Sequence, residues 1–220
     1  QTCALPICRP RLLRRADLRA MSLVMDGNQV RGITAYDMSA GEVVGIQSKA
    51  VILATAGHQG IWSGSANGAG LGSSLAASAG ISLSGLANNP THPLTVRGTD
   101  LNISIDVLGS GGRVRKSSGE DVDSSEVGED NCILDLRSMD STAHVWFANT
   151  RSRIKDRTGL DISRDVVPIS STIAVTTGGA PVDDHGRVTI EDGSKWATGL
   201  YAAGRSAHNG MHGEGLLAGN

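Results

Sequence analysis

Aromatic residues are scarce, with one Phe, two Tyr and three Trp making up 3% of 220 residues. Cysteine is scarcer in effect. Cys3, Cys8 and Cys132 are odd in number and unpatterned in spacing, which argues against a disulfide framework and a zinc site. A reducing compartment is the default reading for such a chain, and a cytoplasmic location follows from it. No strong charge bias is present. The formal net charge of -2 gives no global pull toward nucleic acid or an acidic membrane surface. Long apolar runs are missing too. The longest, residues 50–57, is far short of the roughly 20 residues needed to cross a bilayer. Any contact with a membrane face would therefore come through a partner. What the chain does have is glycine, 29 residues of it, which suits close helix–sheet packing and backbone approach to a ligand. Bulky aliphatics are frequent enough to exclude wholesale disorder. The length suffices for one substantial core, or for one domain with a smaller insert.

The two ends read differently from the middle. Residues 1–7, QTCALPI, read as non-native and adapter-derived, and are set aside from fold reasoning. The following CRPRLLRR is basic but has no long apolar core, so it is a poor secretory signal. The chain stops at GLLAGN, in what reads as the start of a helix. Both ends suggest a fragment.

Between them, residues 21–25, 30–36 and 43–46 read as three strands joined by turns at Asp26-Gly27-Asn28 and Ser39-Ala40-Gly41, an antiparallel meander. Residues 50–57, AVILATAG, form a continuous apolar run ending in Gly, as expected of a strand buried on both faces. A helix over residues 70–79 follows from Leu71, Leu75 and Ala79 at i, i+4 and i+8, with Gly80 as its stop. Residues 82–100 read as irregular because of Asn88-Asn89-Pro90-Thr91-His92-Pro93. Residues 109–131 should be exposed around a possible strand at 113–115. Further expectations are a strand at 132–136, a helix over 140–158 with Val145, Phe147 and Ile154 as its apolar members, and a strand at 172–176. A hairpin connection at Asp183-Asp184-His185-Gly186 then leads into residues 187–190. Residues 199–204, GLYAAG, are a second apolar strand ending in Gly. No internal repeat is visible.

Several segments recur in a fixed order. The meander and VILATAG come first, then Ala79-Gly80 followed by eleven residues and His92-Pro93, then ILDLR at 133–137. GLDI at 159–162, Val167-Pro168, GGAPVDDHG at 178–186, GLYAAG at 199–204, Met211-His212-Gly213 and Gly219-Asn220 complete the set. Together they resemble the flavoprotein subunits of the succinate dehydrogenase/fumarate reductase family, and VDDHGR is similar to L-aspartate oxidases. The resemblance implies an α/β fold: a split, Rossmann-like FAD-binding domain with a β-meander and an inserted capping domain, its N-terminal nucleotide-binding part missing. Residues 8–87 and 169–220 would form the FAD-binding domain and residues 88–168 the cap. The general physical reason is that ligands of open α/β sheets sit beyond the carboxyl ends of the strands, where Gly admits close approach.

The resemblance further implies FAD as cofactor, held by Ala54, Thr55, Ala56, Gly57, Tyr201, Ala203, Gly204, Arg205, Gly219 and Asn220. It implies hydride transfer between flavin and a small organic acid, with His92, Ser104 and His212 as catalytic-site residues, and an iron–sulfur or electron-transfer subunit as partner. The sequence departs from the family at four positions. The cap's catalytic Arg falls on Leu108, a second substrate His on Ala174, the clamping Arg on Leu216, and an FAD-contacting Glu on Arg205. A leucine neither donates nor accepts a proton. Two alternatives follow: a catalytically silent paralogue retained for assembly or binding, and an L-aspartate oxidase relative. Arg113 and Arg115 read either as a solvated basic strand or, with a small register shift, as a substitute for the missing Arg. His208 and His212 would share a face if helical, but a metal there would need further ligands. His185 belongs to an exposed turn. The acidic run Asp121, Asp123, Glu126, Glu129 and Asp130 lacks a calcium-loop register and reads as a solvated loop.

Overall fold

The computed structural model describes residues 12–63, 68–87, 89–122, 127, 131–173 and 175–210. The chain opens with the meander: β1 (Leu18–Asp26), β2 (Gln29–Asp37) and β3 (Glu42–Gln47), paired antiparallel in sequence order. Its turns follow from side-chain chemistry. Asp26 pairs with Gln29 across a two-residue turn in which Gly27 adopts φ 54°, a conformation glycine reaches without Cβ strain. In the second turn Asp37 Oδ1 accepts the backbone N–H groups of Ser39 and Ala40, each at 3.0 Å.

Next comes β4 (Val51–Leu53), shorter than the apolar run suggested. Nor is it buried on both faces, since Ile52 is 65% exposed with no described element covering it. The apolar residues beyond Leu53 leave the sheet because the chain turns there toward α1 (Gly60–Ser63) and α2 (Leu71–Ser78). Gly80, at φ 82°, ends the latter turn as expected.

Residues 82–100 are not irregular throughout. β5 (Thr91–Val96) runs through Pro93 and pairs with β8 (Val167–Ile173). The register slips between His92 and Thr95, so the residue without an N–H sits at the irregularity and no ladder bond is lost. After α3 (Asp106–Gly109) come β6 (Arg113–Lys116) and β7 (Cys132–Asp135), which complete an antiparallel sheet of order β5-β8-β7-β6.

The single helix expected over 140–158 is two: α4 (Ser141–Trp146) and α5 (Ala148–Thr158). Asp140 caps the first by accepting the Ala143 N–H at 2.7 Å, and Gly159 at φ 77° closes the second. The chain bends at Phe147, which turns into the core. Val145, expected inside, is 76% exposed. The strand expected at 172–176 is also corrected. Thr172 and Ile173 end β8, and residues 175–178 carry no strand.

The return leg holds β9 (Ala180–Pro181), β10 (Arg187–Ile190), β11 (Lys195–Ala202) and β12 (Ala207–His208). His208 is thus extended, not helical, and His212 lies outside the described residues, as do Ala174, Leu216, Gly219 and Asn220. Asp183 organises the hairpin into β10. Its carboxylate accepts the His185 and Arg187 N–H groups and pairs with the Arg187 guanidinium at 2.6 Å, while His185 stays exposed.

Two hydrophobic cores result, both aliphatic, as the shortage of aromatic residues requires. One lies on the β5-β8-β7-β6 sheet and gathers Leu94, Ile103, Leu134, Ile154 and Ile169, with Phe147 its one aromatic member. The other joins α2 to the mixed six-stranded sheet through Val30, Leu53, Leu75, Ala76 and Leu200. Within that sheet β11 is the hinge of the architecture. It pairs antiparallel with β10 and parallel with β4, and touches β2.

Candidate functional site

β4 and β11 are far apart in the chain but adjacent in space. They run parallel, with Leu200, Tyr201 and Ala202 opposite Val51, Ile52 and Leu53. The Ala203 N–H donates to the Leu53 carbonyl at 2.9 Å, so both chains leave the sheet at the same edge. The two loops that follow are tied together by Thr55. Its Oγ1 accepts the Gly72 N–H at 2.8 Å and lies 3.1 Å from Ser206 Oγ, and the Ser206 hydroxyl donates to the Thr55 carbonyl. The Gly70 N–H donates to the Gly57 carbonyl at 3.1 Å. The start of α2 is thereby fastened to the strand ends. Gly72 permits this closeness, because a Cβ there would sit 2.5 Å from Thr55 Oγ1 and 2.9 Å from Ser206 Oγ.

Above these ties lies a bare shelf. Ala54, Ala56 and Ala203 are exposed, while Gly57, Ser206 and Ala207 beneath them are buried. Tyr201, Gly204 and Arg205 border it half-buried. No side chain larger than a methyl stands on the exposed positions. An extended, partly flat ligand can lie on such a surface in contact with backbone.

A second group of polar residues lies where α1 packs beside β8. His92 pairs with Thr172 in the β5–β8 register, and its Nδ1 accepts the Leu94 N–H at 3.1 Å. In the neutral ring the proton therefore sits on Nε2, which is left as a donor. Burial pulls the His92 imidazole below its ordinary pKa, favouring that neutral form. Thr95 Oγ1, buried, lies 2.7 Å from both Asn102 Oδ1 and Thr172 Oγ1.

Ser104 behaves differently. It is exposed at the entry to α3, and its hydroxyl donates to Asp106 Oδ2 at 2.7 Å. Leu108 packs half-buried against the core of this antiparallel sheet. Arg113 is exposed, and Arg115 is half-buried with Asp121 at 4.0 Å.

Three polar residues near the shelf carried no recognisable signal in the sequence. His58 is buried, its N–H donates to Thr176 Oγ1 at 2.9 Å, and its ring lies 5.6 Å from that of Trp62. Desolvation holds its pKa below the usual histidine value. Thr176 and Thr177 are buried as well. Only their position, after an apolar strand or before the Gly pair, could have drawn notice. A cavity of about 470 Å³ lies elsewhere, between Gly80–Ser84 and the Thr189–Gly193 segment, toward the opposite end of β11. Among the described residues no cluster of His, Cys, Asp or Glu could hold a metal, and no helix is long and apolar enough to cross a membrane.

Paired parallel strand ends, a bare methyl and backbone shelf and a helix start tied to both suit a dinucleotide. A family model described as "FAD binding domain" matches residues 13–220. The chain belongs to that FAD-binding family. FAD is the cofactor of the family, and the exposed shelf is compatible with it. Among curated relatives, the chain is 27% identical over 240 residues to L-aspartate oxidase 2 of Ralstonia nicotianae, covering 96% of this chain and 43% of that protein. It is 25% identical over 236 residues to the succinate dehydrogenase flavoprotein subunit of Rickettsia conorii, covering 91% and 40%. The chain thus spans about two fifths of the length of these relatives. In fold it is similar to the E. coli quinol fumarate reductase FrdA, with a TM-score of 0.74 at 21% identity over 91% of this chain and 40% of that one. Mycobacterium smegmatis Sdh1 gives 0.74 at 22% identity over 92% and 38%.

Proposed function

We propose that the full-length protein is an FAD-dependent oxidoreductase acting on a small organic acid. In this reading FAD lies across Ala54, Thr55, Ala56 and Gly57 on one side and Tyr201, Ala203, Gly204 and Arg205 on the other, with Gly219 and Asn220 continuing the site. The observation that carries it is the register of Leu53 against Ala202, which brings two glycine-containing loops to one sheet edge that the described residues leave uncovered. When bound, the flavin supplies the hydride chemistry. The chain's own residues bind and orient.

Residues 88–168 act in this reading as a cap over the flavin edge. The Nε2–H of His92 donates to a carboxylate of the substrate. Ser104, already donating to Asp106, offers lone pairs rather than a proton, and His212 joins from the segment after β12. The names of the relatives, succinate dehydrogenase flavoprotein subunit and L-aspartate oxidase, put succinate-like dicarboxylates and aspartate first among candidate substrates. An iron–sulfur or other electron-transfer subunit is the partner such a flavoprotein would use, and any membrane contact would come through it.

Anaerobic spectroscopy of the full-length protein tests this. The expected result is copurified or readily bound FAD that one member of a panel of succinate, fumarate and L-aspartate reduces or reoxidises. A full-length protein that takes up no flavin would contradict it. Bound flavin inert to every acid in the panel would favour a silent paralogue, consistent with the leucine packed at 108.

A further inference from the structure

Arg205 sits in the turn Gly204–Ser206, two residues beyond the exposed Ala203 and directly before the buried Ser206 that fastens the two strand-end loops. Its Cβ lies 3.3 Å from where a Cβ on Gly57 would be, so its side chain starts from the seam between the loops. Every other half-buried Arg or Lys among the described residues is engaged. Arg115 has Asp121, Arg151 has Asp161, Arg187 has Asp183, and Lys116 makes an interaction of its own. Arg205 alone forms no hydrogen bond, ion pair or ring contact with the described residues. A guanidinium with five donors, no acceptor of its own and no ion pair to break first can take an anion at this edge.

We propose that Arg205 is an oxyanion-binding residue of the strand-end shelf, presenting its guanidinium fork to a phosphate or carboxylate group of a bound small molecule. The proposal rests on the FAD reading above and names the chemistry of one edge of that site. The position fits. It borders a surface otherwise made of methyl groups and backbone, where one cation determines the sign of the local field. Two sources offer the required anion: the pyrophosphate of FAD and a carboxylate of the substrate.

Flavin-stripped full-length protein, as wild type, Arg205→Gln and Arg205→Lys, is titrated with FAD, with riboflavin, and, after reloading with FAD, with malonate. If the pyrophosphate is the partner, Arg205→Gln weakens FAD by about 10- to 100-fold and leaves riboflavin unchanged, the loss expected of a charge-assisted bidentate contact. If a substrate carboxylate is the partner, FAD binding is unchanged and malonate weakens by about the same factor. Either pattern supports the proposal. Arg205→Lys keeps the charge without the fork and should fall between wild type and the glutamine variant on the affected probe. That intermediate loss decides the matter if Arg205→Gln fails to fold, and a lysine variant indistinguishable from wild type would then overturn the proposal. Changes within about two-fold on all three probes in Arg205→Gln, with wild type binding FAD, overturn the role of Arg205 alone. A wild type that binds no FAD overturns the flavin reading and this proposal together.

Discussion

Replacing Gly72 with alanine tests how tightly α2 is held against the strand ends. The new Cβ would stand 2.5 Å from Thr55 Oγ1, 2.9 Å from Ser206 Oγ and 3.1 Å from Ser206 Cβ. None of these atoms can swing away cheaply. Thr55 Oγ1 is held between the Gly72 N–H and Ser206, and Ser206 is fully buried and bonded to the Thr55 carbonyl. The first turn of α2 must therefore lift. Overpacking of this kind costs about 1–3 kcal/mol. Loss of the Gly72 N–H bond adds roughly 1 kcal/mol, while better helix propensity returns at most about 1 kcal/mol. The net expectation is a destabilisation of about 1–3 kcal/mol with a matching loss of flavin, since the lifted helix start separates the two loops. Denaturant unfolding of the full-length protein, together with its flavin content, reads both effects. Ser74→Ala, on the exposed side of the same helix, is the control and should change stability by no more than about 0.5 kcal/mol. If Gly72→Ala proved as stable as wild type, or more so, and kept its flavin, the close approach would not be what joins α2 to the strand ends.

Two other consequences follow from the antiparallel sheet and its helices. The Arg137 guanidinium hydrogen-bonds both oxygens of Asp135 and holds its carboxyl down to about 2, against an ordinary value of 3.8. Because the folded value is the lower one, the stabilisation is present above the unfolded-state pKa and is lost as pH falls from about 4 toward 2. It amounts to no more than roughly 2 kcal/mol, and acid unfolding of wild type should show it where Asp135→Asn does not. In the proposed reading His92 is a substrate donor and no part of the shelf, so His92→Ala should raise the KM or dissociation constant for the organic-acid substrate by about 10-fold, with flavin content unchanged. Unaltered substrate affinity in that variant would remove His92 from the site.

The parts of the fold set by local chemistry were readable from the sequence. The meander alternates apolar and polar residues between Gly-containing turns, and α2 shows its i, i+4, i+8 stripe ahead of Gly80. Features that depend on distant partners were not readable. Pro93 looks like a breaker until β8 is seen to slip its register around it. Phe147 looks like one apolar helix position among several until the chain bends there to bury it. Ile52 sits in a run that reads as fully buried, yet burial depends on what covers the sheet, which no local pattern records. The same division holds for the candidate site. The small residues 54–57 and 203–204 stood out in order and spacing. The ties among Thr55, Gly72 and Ser206, and the position of Arg205 at their seam, arise only once segments about 150 residues apart are side by side.

The account depends on FAD lying over the joined ends of β4 and β11. The most direct measurement is the flavin content of the full-length protein carrying Ala54→Phe or Ala203→Phe, each of which stands a ring on the exposed shelf without entering either core. Both variants should unfold like wild type and lose most of their flavin. Full flavin occupancy in both would place the cofactor somewhere other than these strand ends.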